Sequence, residues 1–185
     1  MKLVQHAKGL DYEYCIFDNV IRNYKDLDVH QLFNDYSNEF EFKDNHVGHK
    51  LRQYNSDARS KKIMDEIDED VTAILGDNWI DRSKFRKSYG LHELFKSDKN
   101  EYDGAIPPHR DVGHLAGFTC FLNRDWDLQR GGWNYIISYE EDRVIITDPK
   151  PNRGILIFGG TLHGAMPCWN QGLKRRTLQL FWTKL

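Results

Sequence analysis

Residues 154–163, GILIFGGTLH, decide how the chain is read: an apolar run, a pair of glycines, then a histidine. A short bounded run rich in isoleucine suits a strand covered on both faces rather than a helix. Gly159 and Gly160 end it in a bend, so His163 follows a rigid element and is fixed in place yet reachable. The same grammar fills the C-terminal half. Runs rich in β-branched and aromatic residues, separated by turn residues, cover Phe85–Leu91, Leu115–Asn123, Trp133–Tyr139, Val144–Thr147, Ile155–Phe158 and Thr177–Trp182. Each reads as a strand.

Upstream of about Ser83 the period is helical. After a first strand around Tyr12–Phe17, the stretch Leu27–Tyr36 places Val29, Leu32, Phe33 and Tyr36 at helical spacing behind a cap at Asp26 or Asp28. A longer helix is predicted over Ser56–Leu75, with Ile63, Ile67, Val71 and Ile74 on one stripe, Met64 and Leu75 flanking it and Gly76 as its stop. Its charged residues, among them Asp65 and Asp68, read as a solvated face. The expectation is one α+β domain over 1–185, with a helical part of about 1–82 packed on one sheet of a double-sheet core, such as a jelly roll, over about 83–185.

Composition agrees with one compact domain. The chain has 185 residues, 39% apolar and 29% charged, and no repeat or linker marks a boundary. A formal net charge of -2 gives no global positive field, which makes a nucleic-acid partner unlikely on charge grounds. Cys15, Cys120 and Cys168 are sparse and lack metal or redox spacing, and no apolar run is long enough to span a membrane; a cytoplasmic protein is expected. The Gly/Pro/Asp-rich segment Lys96–Pro108 does not continue a strand and is expected to overhang a site.

Pro107-Pro108-His109-Arg110-Asp111 sets an imidazole and a carboxylate two residues apart, which extended backbone aims to one side. With His163 on another strand they make a two-histidine, one-carboxylate face that suits iron(II) and leaves coordination positions open. Arg176 shares strand parity with Leu178, Leu180 and Trp182, a face expected to turn inward; a guanidinium there calls for a bidentate carboxylate ligand. Arg175, of opposite parity, is expected to point outward. Trp133 and Trp182 are candidate pocket walls, and His92 and His114 candidate substrate contacts near the mouth.

The motifs HRD at 109–111, FLNRDWD at 121–127, GGWNY at 131–135, PKPNRGILIFGGTLHGAMP at 149–167 and RTLQLFW at 176–182 occur in this order, with the histidines 54 residues apart. Together they resemble the 2-oxoglutarate/iron(II) oxygenases of the prolyl 4-hydroxylase type, over roughly Phe85–Leu185. The resemblance implies a double-stranded β-helix, iron on His109, Asp111 and His163, the far carboxylate of 2-oxoglutarate on Arg176, and Tyr89 as a cofactor or substrate contact. It further implies oxygen as co-substrate, ascorbate as a reductant, and hydroxylation of an unactivated C–H bond in a prolyl, peptidyl or amino-acid-like substrate, with release of succinate and CO2. Relatives often carry a tyrosine just before Leu-Asn and a hydroxyl four residues after the arginine; here Phe121 and Leu180 stand there, and Thr119 shares the face of Phe121. A peptide or small-molecule partner is expected, and oligomeric state stays open. Two other readings stand beside this one: a non-catalytic jelly-roll sensor of iron or a dicarboxylate, and a zinc hydrolase on the same ligands.

Overall fold

The computed structural model of the chain describes residues 1–34, 41–45, 49–53, 58–95, 104–170 and 172–185. In chain order the elements are β1 (Lys2–Lys8), β2 (Glu13–Asp18), α1 (Val29–Asn34), β3 (Glu41–Asn45), β4 (His49–Gln53), α2 (Ala58–Leu75), β5 (Phe85–Phe95), β6 (Ile106–His109), β7 (His114–Phe121), β8 (Asn134–Ser138), β9 (Arg143–Thr147), β10 (Gly154–Phe158), β11 (His163–Ala165) and β12 (Lys174–Lys184). They form an eight-stranded sheet in the order β1-β2-β10-β7-β12-β5-β4-β3 and a four-stranded sheet in the order β6-β11-β8-β9. The fold is mostly β, two sheets in a jelly-roll arrangement with few helices.

The strands expected from the C-terminal pattern all form. The part expected to be helical, about 1–82, holds four strands as well as α1 and α2, and these strands extend the larger sheet at both ends. Of these, β2 is the first strand expected around Tyr12–Phe17; β1 and β3, at the two edges of the sheet, carry charge and little apolar alternation, as KLVQHAK in β1 and EFKDN in β3 show. Part of the Lys96–Pro108 segment is also strand: β6 contains Pro107 and Pro108, which an edge position tolerates because one side of the strand needs no N–H donors. Residues 96–103 of that segment, like Tyr36, lie outside the described residues.

Both faces of the larger sheet are covered. One carries the main core, where Met64, Ile67 and Val71 of α2 and Leu32 and Phe33 of α1 join Leu91, Phe118, Cys120, Leu156, Leu178, Leu180 and Trp182. The other faces the smaller sheet through Tyr14, Ile16, Phe121, Ile136, Ile155 and Ile157. The buried stripe of α2 is Ser60, Met64, Ile67, Asp68 and Val71, rotated from the expected one, and Ile74 is exposed. Asp68 is therefore not on a solvated face. It accepts from Trp182 Nε1 at 3.0 Å and Lys87 Nζ at 3.1 Å, while Asp65 accepts from Tyr89 Oη and Lys87 Nζ, each at 2.7 Å. A buried indole N–H needs an acceptor, and α2 supplies it. Gly76, at φ 88°, closes the helix in a conformation that favours glycine.

Candidate metal centre and its pocket

The smaller sheet builds the centre. Antiparallel pairing of β6 with β11 sets His109 directly opposite His163, and β11 pairs on its other side with β8, His163 opposite Ile136. This close approach requires Gly164, where a Cβ would sit 2.3 Å from Tyr135 Oη and 2.4 Å from the Ile106 carbonyl. Asp111 lies on the turn after β6, which is closed by Val112 N–H to the Arg110 carbonyl at 2.9 Å and His114 N–H to the Asp111 carbonyl at 3.1 Å.

One ligand atom from each of His109, Asp111 and His163 lies within 4.8 Å of the others. His109 Nε2 is 3.5 Å from Asp111 Oδ1, His163 Nε2 is 3.6 Å from Asp111 Oδ2, and the rings are 4.5 Å apart. His109 Nδ1 is 2.9 Å from the Pro107 carbonyl and His163 Nδ1 2.9 Å from the Thr161 carbonyl. A carbonyl only accepts, so both Nδ1 atoms carry the proton and both Nε2 lone pairs face Asp111. That is the tautomer a metal needs, fixed by the main chain. The hydrogen bond to Asp111 raises the pKa of His109, and burial lowers that of His163. Burial would raise Asp111, but the His109 hydrogen bond and the two imidazoles outweigh it and hold it below the usual carboxylate value. Two imidazole nitrogens and one carboxylate, pre-oriented on one side, fit a divalent metal of the iron(II) class.

The larger sheet forms the facing wall, and register orders it. Across β7, β12 and β5, one row is Gly117, Phe181 and Ser88; the next is Thr119, Gln179 and Gly90; the next is Phe121, Thr177 and His92; and Arg175 follows beside Leu94. A Cβ at Gly117 would lie 3.7 Å from Asp111 Oδ2 and 3.1 Å from the Phe181 ring, which places the metal end of the wall. A β-bulge at Leu115 then turns His114 onto this side, its ring 4.6 Å from Phe181 and Nδ1 3.0 Å from Thr183 Oγ1.

At the far end Arg175 crosses to the smaller sheet, donating from one terminal nitrogen to the Gly132 carbonyl at 2.7 Å and Asn134 Oδ1 at 2.8 Å. Gly132 stands at φ 70°, which exposes that carbonyl. Arg175 lies above the Phe121 ring at 5.7 Å, is 3% exposed, and has no carboxylate partner among the described residues. Burial pushes its guanidinium down to about 10. Among the described residues, Arg175 Nε, Thr177 Oγ1, Gln179 Oε1 and Trp133 Nε1 are buried without a hydrogen-bond partner. Buried polar atoms are ordinarily paired, so a row of orphans marks a place for a ligand.

Arg176 is thereby corrected. It points to the helix side, where Nε donates to Glu93 Oε2 at 3.1 Å, a terminal nitrogen donates to His30 Nδ1 at 3.0 Å, and Phe33 lies 4.9 Å beneath. The expectation failed because Leu178, Leu180 and Trp182 mark the face covered by helices, not the one between the sheets. The polar alternation Arg175, Thr177, Gln179 was the signal to read, since in a strand buried on both sides the polar face is the cavity. Tyr89 also points to α2, bonded to Asp65, and touches no part of the centre. Trp182 is likewise on the helix side, edge-on to Trp79 at 4.9 Å. Thr119 lies on the wall, as its parity with Phe121 suggested. His92, expected at the mouth, is buried within the wall. A cleft of about 520 Å3 bordered by His30, Arg124, Trp126 and Arg176 contains none of the triad residues.

No protein-family model matches the chain, and no curated protein does. Solved structures do. A prolyl hydroxylase from Trichoplax adhaerens, in complex with a hypoxia inducible factor peptide fragment, superposes with TM-score 0.68 at 16% identity, over 92% of this chain and 83% of that one. A prolyl-4-hydroxylase from Pseudomonas putida gives 0.63 at 10% identity, over 92% of both chains. A non-haem α-ketoglutarate-dependent epimerase of nogalamycin biosynthesis gives 0.64 at 11%, over 92% and 78%. The chain has the fold of the 2-oxoglutarate/iron(II) oxygenases, with a His-Asp-His set in place. No helix among the described residues is long and apolar enough to cross a membrane.

Proposed function

We propose that the chain is an iron(II)/2-oxoglutarate-dependent oxygenase in which His109, Asp111 and His163 hold the metal and Arg175 anchors the far carboxylate of 2-oxoglutarate. The observation that carries this reading is the Arg175 guanidinium, buried between the sheets on the wall that runs to Asp111 and, among the described residues, lacking a carboxylate partner. Burying a charge unpaired is costly, and a bound carboxylate offsets that cost. Iron and 2-oxoglutarate, when bound, supply oxidising power from dioxygen and yield succinate and CO2.

The protein's own share is binding and orientation. The Pro107 and Thr161 carbonyls hold the imidazoles in their ligating tautomer. Phe121 and Ile136 keep the pocket between the sheets apolar where no hydrogen bond is needed, which limits water at the centre. Thr119, on the wall between Phe121 and Gly117, offers the hydroxyl that Phe121 lacks. The substrate is a peptide or amino-acid-like molecule that approaches past Phe181 and His114 and is hydroxylated at a C–H bond; the peptide bound to the Trichoplax protein supports this class.

The test is anaerobic titration of the iron(II) protein with 2-oxoglutarate. A visible metal-to-ligand charge-transfer band is expected, lost in His109→Ala, with succinate release in air in the presence of ascorbate and a substrate. Absence of the band in the wild-type protein overturns the reading. A band without succinate release for any peptide or amino acid would instead mark a sensor.

A further inference from the structure

The wall also runs past the metal, on the side away from Arg175. On β5, Lys87 and Tyr89 reach Asp65 of α2 and Phe85 packs on the helix-side core, so Arg86 and Ser88 face the other way. Contacts bear this out: Ser88 Oγ lies 3.2 Å from Thr183 Oγ1, which lies 3.0 Å from His114 Nδ1, and the His114 ring rests against Phe181. Register then orders the groups. Ser88, Phe181 and Gly117 form the row at the metal end, and Arg86, Thr183 and His114 form the next row out. Rows on one face are two residues, or about 7 Å, apart. Neither row holds an Asp or Glu. Other arginines meet a carboxylate, as Arg153 meets Asp18, or a main-chain carbonyl, as Arg124 meets that of Lys25. Among the described residues Arg86 meets neither, and it is exposed. An unpaired arginine is ordinary on a surface; here its place is what distinguishes it. A planar fork of donors with a hydroxyl beside it, one row from a metal, matches a carboxylate.

We propose that the substrate carries a carboxylate, which Arg86 holds beside the Thr183 hydroxyl about 7 Å beyond the metal end, while the C–H bond to be oxidised lies over Phe181. This rests on the oxygenase reading and names the substrate class for that site. The wall then offers one arginine on each side of the metal row, Arg175 to the co-substrate and Arg86 to the substrate. A two-point hold, charge at Arg86 and apolar contact at Phe181, fixes which carbon faces the metal. The carboxylate can be that of a free amino acid or peptide end, or that of an acidic side chain.

The experiment needs no turnover. The protein is loaded with 2-oxoglutarate and manganese(II), which accepts the same ligand types and speeds the proton relaxation of molecules bound near it. Two pairs of probes are compared. N-acetylproline against N-acetylprolinamide tests a terminal carboxylate, and the α-amide of N-acetylaspartic acid against N-acetylasparagine amide tests an acidic side chain. In at least one pair the carboxylate should be relaxed at least about fivefold more than its amide, and Arg86→Gln should bring that pair within about twofold. Lys184→Gln removes a like charge from the opposite face of the strand and should leave the preference unchanged. No preference in either pair overturns the proposal. So does a preference that survives Arg86→Gln, as a carboxylate bound on the metal itself would, or one lost equally in Lys184→Gln, which marks diffuse charge attraction. In all three cases relaxation of 2-oxoglutarate by the bound manganese leaves the oxygenase reading in place. If 2-oxoglutarate is not relaxed, that reading falls and the proposal with it.

Discussion

The two faces of β12 treat two adjacent arginines in opposite ways. On the helix side Arg176 meets Glu93 and His30, and the neighbouring polar groups of that face, Asp65, Asp68, Lys87, Tyr89 and Trp182, bond to one another. On the side facing the smaller sheet Arg175 donates, among the described residues, to a carbonyl and an amide oxygen and to no carboxylate, and its neighbours Thr177 and Gln179 keep atoms with no hydrogen-bond partner among those residues. One face is completed by the chain itself. The other is not, and that difference distinguishes the two arginines where burial does not, since both are buried.

Mutations sharpen the contrast, the largest effect coming at the metal. His109→Ala should lower iron affinity by more than about a hundredfold, measured by metal titration, because Asp111 and His163 alone leave an incomplete face. Next, Arg175→Ala should cost about 3 kcal/mol in 2-oxoglutarate affinity, roughly a hundredfold in the anaerobic titration. The same change should leave thermal stability of the ligand-free protein unchanged or improved, because it removes an unpaired buried charge. Arg176→Ala should do the reverse, losing about 1–2 kcal/mol in denaturant unfolding by removing one of the two cationic partners of Glu93, with Lys174 keeping the other, while 2-oxoglutarate affinity holds. Equal losses of affinity in the two variants would break the contrast.

A smaller effect is expected from Trp182→Phe, which leaves Asp68 without its indole donor: about 1–2 kcal/mol of stability and no change in co-substrate affinity. The smallest concerns pH. Asp65 is held below its ordinary value by Lys61, Lys87 and Tyr89, against the opposing effect of burial. A depressed carboxylate stabilises the fold above its unfolded pKa of about 4 and loses that contribution as pH falls below it. Asp65 is about one-third exposed, so screening limits the effect to about 1 kcal/mol. Urea midpoints at pH 7 and pH 3 should therefore differ less in Asp65→Asn than in wild type.

Much of this was legible in the sequence, and the limits have physical causes. The triad could be read because ligand chemistry restricts residue type and because HRD and the strand before His163 fix direction locally. The C-terminal strands could be read because buried strands concentrate Ile, Leu and Phe. Arg175 could not be chosen by apolar parity, because Leu178, Leu180 and Trp182 answer to α2 and only the covering layers reveal which face is which. Tyr89 was misplaced for the same reason, one strand away. Asp68 was hidden because a charged residue on an amphipathic helix gives no sign that an indole N–H 114 residues away will need it, and β1 and β3 because edge strands suppress the apolar signal by which strands are found.

Pro107 and Pro108 also bear on how copies of the chain behave toward one another. The strand that carries His109 lies at the border of its sheet, where an open row of N–H groups would invite another chain to add a strand. With two consecutive residues without that hydrogen, one of the pair faces the open border and denies the newcomer a partner just upstream of His109. The centre can therefore stay open to small molecules at a sheet border without that border becoming a template for aggregation.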